Sequence, residues 1–308
     1  MPRPDIQTLR KQAGNEPWRS VRGRTVVVTG ANSGLGLSTT RRLVADGASV
    51  IMACRRVAPA HEVAASMAGA VRVEELDLAS LDSIQAFAER ITEPIDILIN
   101  NAGVMQPPHY RETTDGFELM FGTNHFGHFA LTGRLLPNLL ATEHPRVVTV
   151  SSIAHQSADE QVLDANPSWT YTPYQAYARS KLANLLFATE LHRHAVAHSS
   201  PLLSMAAHPG VAATGLVRDR EGMGARWLAR TVASPLLPLV FHGPREGAQP
   251  ILYALAFGEG GGFYGPKQLF ESTGLTGESR RSRYARDPAL AAKLWRLSEE
   301  RTGVTFSL

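Results

Sequence analysis

Tyr177 and Lys181, four positions apart, are the residues whose types and spacing most directly indicate chemistry. They lie in a stretch rich in helix-forming residues, and residues four apart share one face of a helix. A phenol with a pKa of about 10 is a poor acid–base catalyst at neutral pH, but a neighbouring ammonium stabilises the phenolate. The pair therefore predicts that Tyr177 transfers protons with the help of Lys181.

Two adjacent serines, Ser151 and Ser152, follow the apolar run Val147–Val150. Such a run is typical of a buried strand, and open α/β sheets bind ligands at the carboxyl ends of their strands. The spacing Tyr-x-x-x-Lys is common by itself. Together with the serine pair it predicts an active site at the end of one strand.

A glycine-rich turn follows the first apolar run, Thr25–Thr29, and leads into a helical pattern. A strand, a glycine turn and a helix in this order let the backbone approach a pyrophosphate, whose charge then faces free N–H groups and the positive end of the helix dipole. The spacing is Gly-x-x-x-Gly-x-Gly, which is neither Gly-x-Gly-x-x-Gly nor a P-loop. It predicts a dinucleotide site, and the alternative is that the glycines only close a tight turn.

Arg55 and Arg56 follow the second apolar run, Val50–Ala53. At this position an NAD enzyme usually presents an acid to the ribose 2′-hydroxyl. A guanidinium can instead bind a 2′-phosphate through two hydrogen bonds and stack on adenine. The pattern predicts NADP(H) in preference to NAD(H), with Arg55 as the main contact and Arg56 as a weaker one, unless the arginines only solvate the end of the strand.

Strand-like and helical segments alternate along most of the chain and must position these motifs. The predicted strands are Thr25–Thr29, Val50–Ala53, Val71–Leu76, Ile95–Ile99, Val147–Val150 and Leu202–Ala206. The predicted helices are Leu35–Asp46, Ala58–Met67, Leu81–Ile91, Phe117–Leu140 and Gln175–His194. Alternation of this kind predicts βαβ crossovers, and therefore an α/β fold with a doubly wound, mostly parallel sheet and helices on both faces.

Composition narrows the class of protein. With 44% hydrophobic and 19% charged residues the chain can build a core and shows no bias toward disorder. Its 31 Lys and Arg are dispersed, which argues against a nucleic-acid partner. The single cysteine, Cys54, excludes an internal disulfide and a multi-cysteine metal or iron–sulfur site, and it favours a cytoplasmic location.

The 308 residues allow one large domain or two, and the continuous alternation predicts one domain over residues 21–308 after a leader of residues 1–20. Residues 155–175 are interpreted as a substrate loop and 215–245 as a lid.

The N-terminus lacks the apolar region of a secretion signal, and no apolar run is long enough for a transmembrane segment. Residues 223–241 mix arginines with large apolar side chains, so peripheral membrane contact stays open beside a flap that covers a pocket.

Taken in order, these motifs resemble the short-chain dehydrogenase/reductase family. The resemblance rests on the glycine turn, Asn100–Gly103, Asn124, Ser151–Ser152, Tyr177 with Lys181, and His208–Gly210 with Thr214. TGANSGLG, ACRR, NNAGVM, TNHFGHF, VSSIAH and YARSKLANLLF are most similar to the retinol-dehydrogenase-like and protochlorophyllide-reductase-like branch. The tail, Gly262–Pro266 and Leu294–Glu299, resembles uncharacterised bacterial oxidoreductases of that branch. The resemblance implies a single-domain Rossmann fold.

The same resemblance implies roles for individual residues. Tyr177 would give or take the proton, and Ser152, rather than Ser151, would hydrogen-bond the substrate oxygen. Lys181 would hold the nicotinamide ribose and lower the pKa of Tyr177, and Asn124 would organise a water that relays protons. Implied cofactor contacts are Gly30, Asn32, Ser33, Gly34, Leu35 and Gly36 in the turn, Asp77 and Leu78 at adenine, Asn101, Ala102, Gly103, Tyr177 and Lys181 at the ribose, and Pro209, Gly210, Val211 and Thr214 at the nicotinamide.

Some of these residues have simpler interpretations. Asp77 is also placed to cap a helix that begins near Leu81, and Asn124 to brace the sheet. His125, His128 and His155 have no metal-ligand spacing with carboxylates, so they are expected to pack or hydrogen-bond near the pocket, and no metal is predicted.

Tyr177 follows Ser152 by 25 positions, an interval longer than the resemblance implies. The added loop carries Trp169, Tyr171 and Tyr174, which together with Met105, Trp227 and Phe241 are expected to line an apolar pocket. The predicted activity is that of an NADP(H)-dependent carbonyl reductase, or the reverse alcohol dehydrogenase, on a small or lipophilic carbonyl or alcohol substrate. The alternative is a non-catalytic NADP(H)-binding redox sensor or scaffold.

The family resemblance also implies a homo-oligomer, formed through the helices that begin near Phe117 and Tyr177.

Overall fold

A single β-sheet organises the part of the chain that the computed structural model describes, residues 21–210 and 243–308. Its strands are β1 Thr25–Thr29, β2 Ser49–Cys54, β3 Val71–Glu75, β4 Ile97–Asn100, β5 Arg146–Val150, β6 Leu203–Ala207, β7 Phe263–Gln268 and β8 Thr273–Glu278. They lie in the order β3-β2-β1-β4-β5-β6-β7-β8. All neighbours are parallel except β7 and β8, which are antiparallel. The predicted doubly wound, mostly parallel sheet is confirmed.

Helices cover both faces of this sheet. They are α1 Gly34–Ala45, α2 Val57–Ala64, α3 Leu81–Arg90, α4 Leu119–Phe121, α5 Gly127–Arg134, α6 Leu136–Leu140, α7 Pro173–Ala197, α8 Pro244–Gly247, α9 Gln249–Phe257 and α10 Pro288–Thr302. Successive strand residues point to opposite faces. Val26 and Val28 pack with α1, α2 and α9, whereas Val27 packs with α3, α5, α7 and α10. Both faces of the central strands β1, β4 and β5 are therefore buried, which explains their apolar runs.

The segment predicted as one helix over Phe117–Leu140 is divided in the structure. A π-helical turn, Gly122–Phe126, separates α4 from α5, and Pro137 lies in the first turn of α6. Proline lacks an N–H and is tolerated at the start of a helix but not in its interior. The π turn contains Asn124, and such turns are frequent at functional sites.

The C-terminal region adds elements that the strand and helix predictions did not include. Strand β8 pairs with β7 at the edge of the sheet, and α10 packs on α5 and α7. Trp295 of α10 stacks on Phe187 at 5.9 Å between ring centroids and meets Phe129 edge-on at 5.1 Å. Helix α10 of the same chain thus covers part of α5 and α7, and the homo-oligomer stays a prediction.

Residues 1–20 and most of the predicted lid, including 223–241, lie outside the described residues. Across 21–210 and 243–308, no helix is both long and apolar enough to cross a membrane.

Candidate active site

The two serines after β5 have different partners. The Ser151 hydroxyl donates to the backbone carbonyl of Lys181 at 2.7 Å and is buried. The Ser152 side chain hydrogen-bonds the phenol of Tyr177. The structure therefore uses Ser151 to hold helix α7 and leaves Ser152 beside Tyr177.

Lys181 lies on the same face of α7 as Tyr177. Its ammonium donates to the Val150 carbonyl at 3.1 Å and is 5.7 Å from the centroid of the Tyr177 ring. A Cβ atom added at Gly103 would be 3.6 Å from Nζ of Lys181. The ammonium thus lies between the proposed catalytic tyrosine and the segment after β4.

Burial sets the protonation of this pair. It raises the pKa of Tyr177 to about 12, and the hydrogen bond from Ser152 acts in the opposite direction. Burial also lowers the pKa of Lys181 to about 8. The sequence predicts that Lys181 lowers the pKa of Tyr177, but here the cost of burying a phenolate outweighs any such effect.

The raised pKa of Tyr177 gives a direct prediction for the cofactor-free protein. An ordinary tyrosine is half ionised at about pH 10, whereas Tyr177, with its pKa raised to about 12, should still be almost wholly protonated there. The measurement is the near-ultraviolet phenolate absorbance of the wild type minus that of Tyr177→Phe. A half-ionised signal at that pH would contradict the assignment.

Asn124 braces the site through its side chain. Its Oδ1 accepts from the Val104 N–H at 2.7 Å, and its Nδ2 donates to the Val104 carbonyl and to the Ser180 hydroxyl, both at 3.0 Å. The bracing role that the sequence left open is therefore present. A role in relaying protons stays a prediction.

The glycine turn between β1 and α1 has the geometry of an anion cradle. Gly30 and Gly34 have φ values of 64° and 53°, in the left-handed region that favours glycine. Ser33 at the N-cap makes no side-chain cap bond, and the first turn of α1 has no acidic residue, so its N–H groups remain available to a phosphate. These features fit a dinucleotide.

Gly36 allows the closest approach in this turn. A Cβ atom there would overlap the Gly30 carbonyl and lie 2.5 Å from Nδ2 of Asn101. Gly36→Ala should therefore destabilise the protein by about 1–3 kcal/mol and weaken dinucleotide binding. Chemical denaturation and cofactor titration measure the two effects, with Ser38→Ala in the same helix as the control. Unchanged stability and binding would contradict the packing.

Three of the predicted adenine-side residues lie just after the ends of β2 and β3. Arg55 and Arg56 are exposed after β2, as a 2′-phosphate contact requires. Asp77 Oδ1 accepts from the Ala79 N–H at 2.9 Å, whereas Ser80 caps α3 by accepting from the Ser83 N–H. The interpretation of Asp77 as the cap of that helix is therefore wrong.

The segment after β4 packs directly against the glycine turn. Asn101 Nδ2 donates to the Thr29 carbonyl at 2.8 Å, and the Asn101 and Ala102 N–H groups both donate to Thr29 Oγ1 at 2.9 Å. Buried Asn101 Oδ1 has no protein partner among the described residues.

The other predicted cofactor contacts lie at the carboxyl ends of strands where the structure describes them. They are Leu78 after β3, Gly103 after β4, and Pro209 and Gly210 after β6, whereas Val211 and Thr214 lie outside the described residues.

The predicted substrate loop is held at three points. Tyr171 donates to the Pro107 carbonyl at 2.6 Å, Asn166 Nδ2 donates to the Ala176 carbonyl at 3.1 Å, and Arg179 binds Asp159 at 3.2 Å. Tyr171 packs with Val104, Met105 and Ala154 in the apolar cluster that contains Tyr177.

The other aromatic side chains of this loop do not contribute to that cluster. Trp169 is 84% exposed and Tyr174 is 48% exposed, so neither is buried against that cluster, and their place in a pocket stays a prediction. Trp227 and Phe241 lie outside the described residues.

The three histidines near the site are buried and hydrogen-bonded. His155 donates from Nδ1 to the Ser152 carbonyl at 2.7 Å, His125 contacts the Ser298 hydroxyl at 2.8 Å, and His128 contacts Thr29 and Asn124. Within residues 21–210 and 243–308, no group of three or more His, Cys, Asp or Glu is placed to hold a metal.

A comparison with family models decides the family. The short chain dehydrogenase model matches residues 24–223. The chain belongs to the short-chain dehydrogenases. Members of this family are oxidoreductases with a nicotinamide cofactor, and the glycine turn, the segment after β4 and Tyr177 with Lys181 all lie within the matched residues.

Relatives of this short-chain dehydrogenase place it in the retinol-dehydrogenase-like branch. It is 38% identical to human retinol dehydrogenase 14, over 98% of this chain and 92% of that protein. It is 39% identical to mouse polyprenol dehydrogenase, over 89% and 82%. A crystal structure of an uncharacterised protein from Mycobacterium paratuberculosis is 43% identical, covers 96% of this chain and 98% of its own, and has a TM-score of 0.78.

Two buried polar residues of the site in this short-chain dehydrogenase, Thr29 and Ser180, were not predicted from sequence. His128 was expected only to pack or hydrogen-bond near the pocket, and its partners were not predicted. A signal was present for His128, since it follows Asn124 by four positions and thus shares its helix face. The contact of Thr29 with His128 joins residues 99 positions apart, and no local spacing indicates it.

Proposed function

We propose that this short-chain dehydrogenase is an NADP(H)-dependent reductase of a carbonyl compound, or a dehydrogenase of the corresponding alcohol. The observation that carries the proposal is the hydrogen bond between Ser152 and Tyr177, with the Lys181 ammonium 5.7 Å from the Tyr177 ring. An acid, a second hydroxyl and a cation thereby converge at the end of β5.

In the reductive direction Tyr177 gives its phenolic proton to the carbonyl oxygen, while Ser152 donates a hydrogen bond to the same oxygen. The cofactor supplies the hydride that reaches the carbonyl carbon. Because burial raises the pKa of Tyr177 to about 12, the phenol is protonated at neutral pH and ready to act as the acid. Lys181 stabilises the phenolate that remains.

The residues around the glycine turn would hold the cofactor. The N–H groups at the start of α1 would bind its pyrophosphate, and Asn101, Ala102 and Gly103 its ribose. Arg55 and Arg56, exposed after β2, support the 2′-phosphorylated form because a guanidinium pairs well with phosphate.

Two observations support an apolar substrate. Val104, Met105, Ala154 and Tyr171 form an apolar cluster with Tyr177, so one wall beside the proposed acid is hydrophobic. The relatives named above are called retinol and polyprenol dehydrogenases, and both names denote largely apolar alcohols. We infer an aldehyde or ketone with a hydrocarbon body.

The test is an NADPH-consumption screen over aldehydes, ketones and quinones, with Tyr177→Phe as the blank. The proposal expects at least one substrate whose turnover depends on Tyr177. Tight NADPH binding without turnover of any compound would favour the redox sensor instead. The Ser152–Tyr177 hydrogen bond supports the enzyme, since a sensor needs no proton donor at this place.

A further inference from the structure

His128 links two parts of the site that are remote in sequence. It lies in α5, is 1% exposed, and has both ring nitrogens within hydrogen-bond distance of a partner. Nε2 is 2.9 Å from the Thr29 hydroxyl, and Nδ1 is 2.9 Å from the backbone carbonyl of Asn124.

Chemistry determines the direction of both hydrogen bonds. The Asn124 carbonyl can only accept, so Nδ1 carries the ring proton. Burial lowers the pKa of His128 to about 4, so the ring is neutral and Nε2 accepts from the Thr29 hydroxyl. That hydroxyl also has a longer contact, 3.3 Å, with the Ile99 carbonyl, which competes for the same proton.

On one side the chain of hydrogen bonds reaches the segment that would hold the cofactor ribose. With its proton directed at His128, Thr29 Oγ1 accepts from the Asn101 and Ala102 N–H groups, each at 2.9 Å. One donor and two acceptor positions of the hydroxyl are then used. His128 thus orients the hydroxyl that holds this backbone.

On the other side of His128 the series of hydrogen bonds reaches helix α7, which carries Tyr177 and Lys181. His128 holds the backbone of Asn124, whose side chain donates to the Ser180 hydroxyl at 3.0 Å. Ser180 in turn donates to the backbone carbonyl of Tyr177 at 2.8 Å. The series Thr29, His128, Asn124, Ser180 and Tyr177 is buried throughout.

We propose that His128 is a positioning residue that acts on both halves of the site: through Thr29 it sets cofactor affinity, and through Asn124 it sets turnover. The part of this inference that concerns turnover rests on the proposed function. It assigns His128 no contact with substrate or cofactor.

Two substitutions separate the effect of His128 on cofactor affinity from its effect on turnover. In His128→Asn the side-chain amide can replace Nδ1 and keep the bond to Asn124, but nothing reaches Thr29. In His128→Gln the longer side chain can replace Nε2 and keep the bond to Thr29, but the donor to Asn124 is lost. The readouts are the NADPH Kd by fluorescence titration, kcat on a substrate from the screen, and Tm.

The proposal expects His128→Asn to raise the NADPH Kd about tenfold with kcat within about twofold, and His128→Gln to lower kcat about tenfold with Kd within about twofold. His125→Asn and His125→Gln are matched controls, because His125 is equally buried and bonds Ser298 instead. They should lower Tm and leave both constants unchanged. Parallel changes of Kd and kcat in both His128 variants, or a change in Tm alone, would overturn the proposal.

A second pair of variants covers the case in which the His128 variants do not fold. Thr29→Val should raise the NADPH Kd as His128→Asn does, and Thr29→Ser, which keeps the hydroxyl, should restore it. An unchanged Kd in Thr29→Val would also overturn the proposal. If the wild type neither binds NADPH nor turns over a substrate, the proposed function fails. If the wild type does both but the His128 variants do not separate the effects on Kd and kcat, only the role of His128 is wrong.

Discussion

Tyr177→Phe should reduce kcat about 10³-fold in the carbonyl reductions found by the screen, since proton donation by a positioned side chain contributes about 10²- to 10⁴-fold. The NADPH Kd should change by less than about twofold. The substitution removes one oxygen from a buried ring that hydrogen-bonds Ser152 and leaves the apolar packing of the ring in place. Steady-state kinetics and fluorescence titration measure the two constants.

Tyr253→Phe is the control for the loss of a phenol. Tyr253 is partly buried against the core on the other face of the sheet, away from Ser152 and Lys181, and its variant should keep wild-type kcat. Wild-type turnover by Tyr177→Phe would show that another group donates the proton, and the proposed mechanism would be wrong.

Arg55→Ala should raise the NADPH Kd about 10- to 100-fold, because a hydrogen bond to a charged group contributes about 1.5–3 kcal/mol. The Kd of NADH, which lacks the 2′-phosphate, should change by less than about threefold. Arg56→Ala should have the same direction and a smaller effect. Titration of each protein with both cofactors gives the preference as a ratio of two constants.

Arg72→Ala is the control for loss of a surface arginine near the sheet edge. Arg72 lies on β3, where it pairs with Glu74 at 3.2 Å and Glu93 at 2.6 Å, and its variant should bind both cofactors normally. Two results would defeat the assignment: equally tight binding of NADH and NADPH by the wild type, or an unchanged NADPH affinity in Arg55→Ala.

Burial makes the pair Tyr177 and Lys181 act differently from what their types alone suggest. Reference pKa values would leave the ammonium fully charged and able to draw the phenol toward ionisation. In the folded chain the pKa of Lys181 falls to about 8 and that of Tyr177 rises to about 12, since a low-dielectric surrounding disfavours both charged forms. A protonated phenol at neutral pH suits the donor role that we propose for Tyr177 in the reductive direction.

Most of the sheet was predictable from residue pattern. Strand β1 matches its prediction at both ends, and each of the other predicted strands differs by one or two residues at one end or at both. Strands buried on both faces need continuous apolar runs, and those runs are visible in the chain. Strand β8, TGLTGE, has no such run, because an edge strand needs little apolar surface.

The prediction of one helix over Phe117–Leu140 was wrong in where the helix begins and in its continuity. The helical pattern after Phe117 predicts one helix, but the π turn at Gly122–Phe126 interrupts it. Glu118 caps the first turn of α4 by accepting from the Met120 and Phe121 N–H groups. It also accepts a hydrogen bond of 3.0 Å from Asn166, which belongs to the substrate loop. That contact spans 48 positions, which no helical period reveals.

The sequence by itself determined the class of fold, the family resemblance and the position of Tyr177, Lys181 and Ser152, because these depend on residue type, local spacing and apolar period. Only the tertiary structure decided that Ser151 bonds the backbone of α7, that Trp169 faces solvent, and that α10 covers α7. It also decided that His128 joins Thr29 to Asn124. These facts depend on burial and on hydrogen bonds between residues far apart in the chain, and such contacts exist only once the strands and helices have packed.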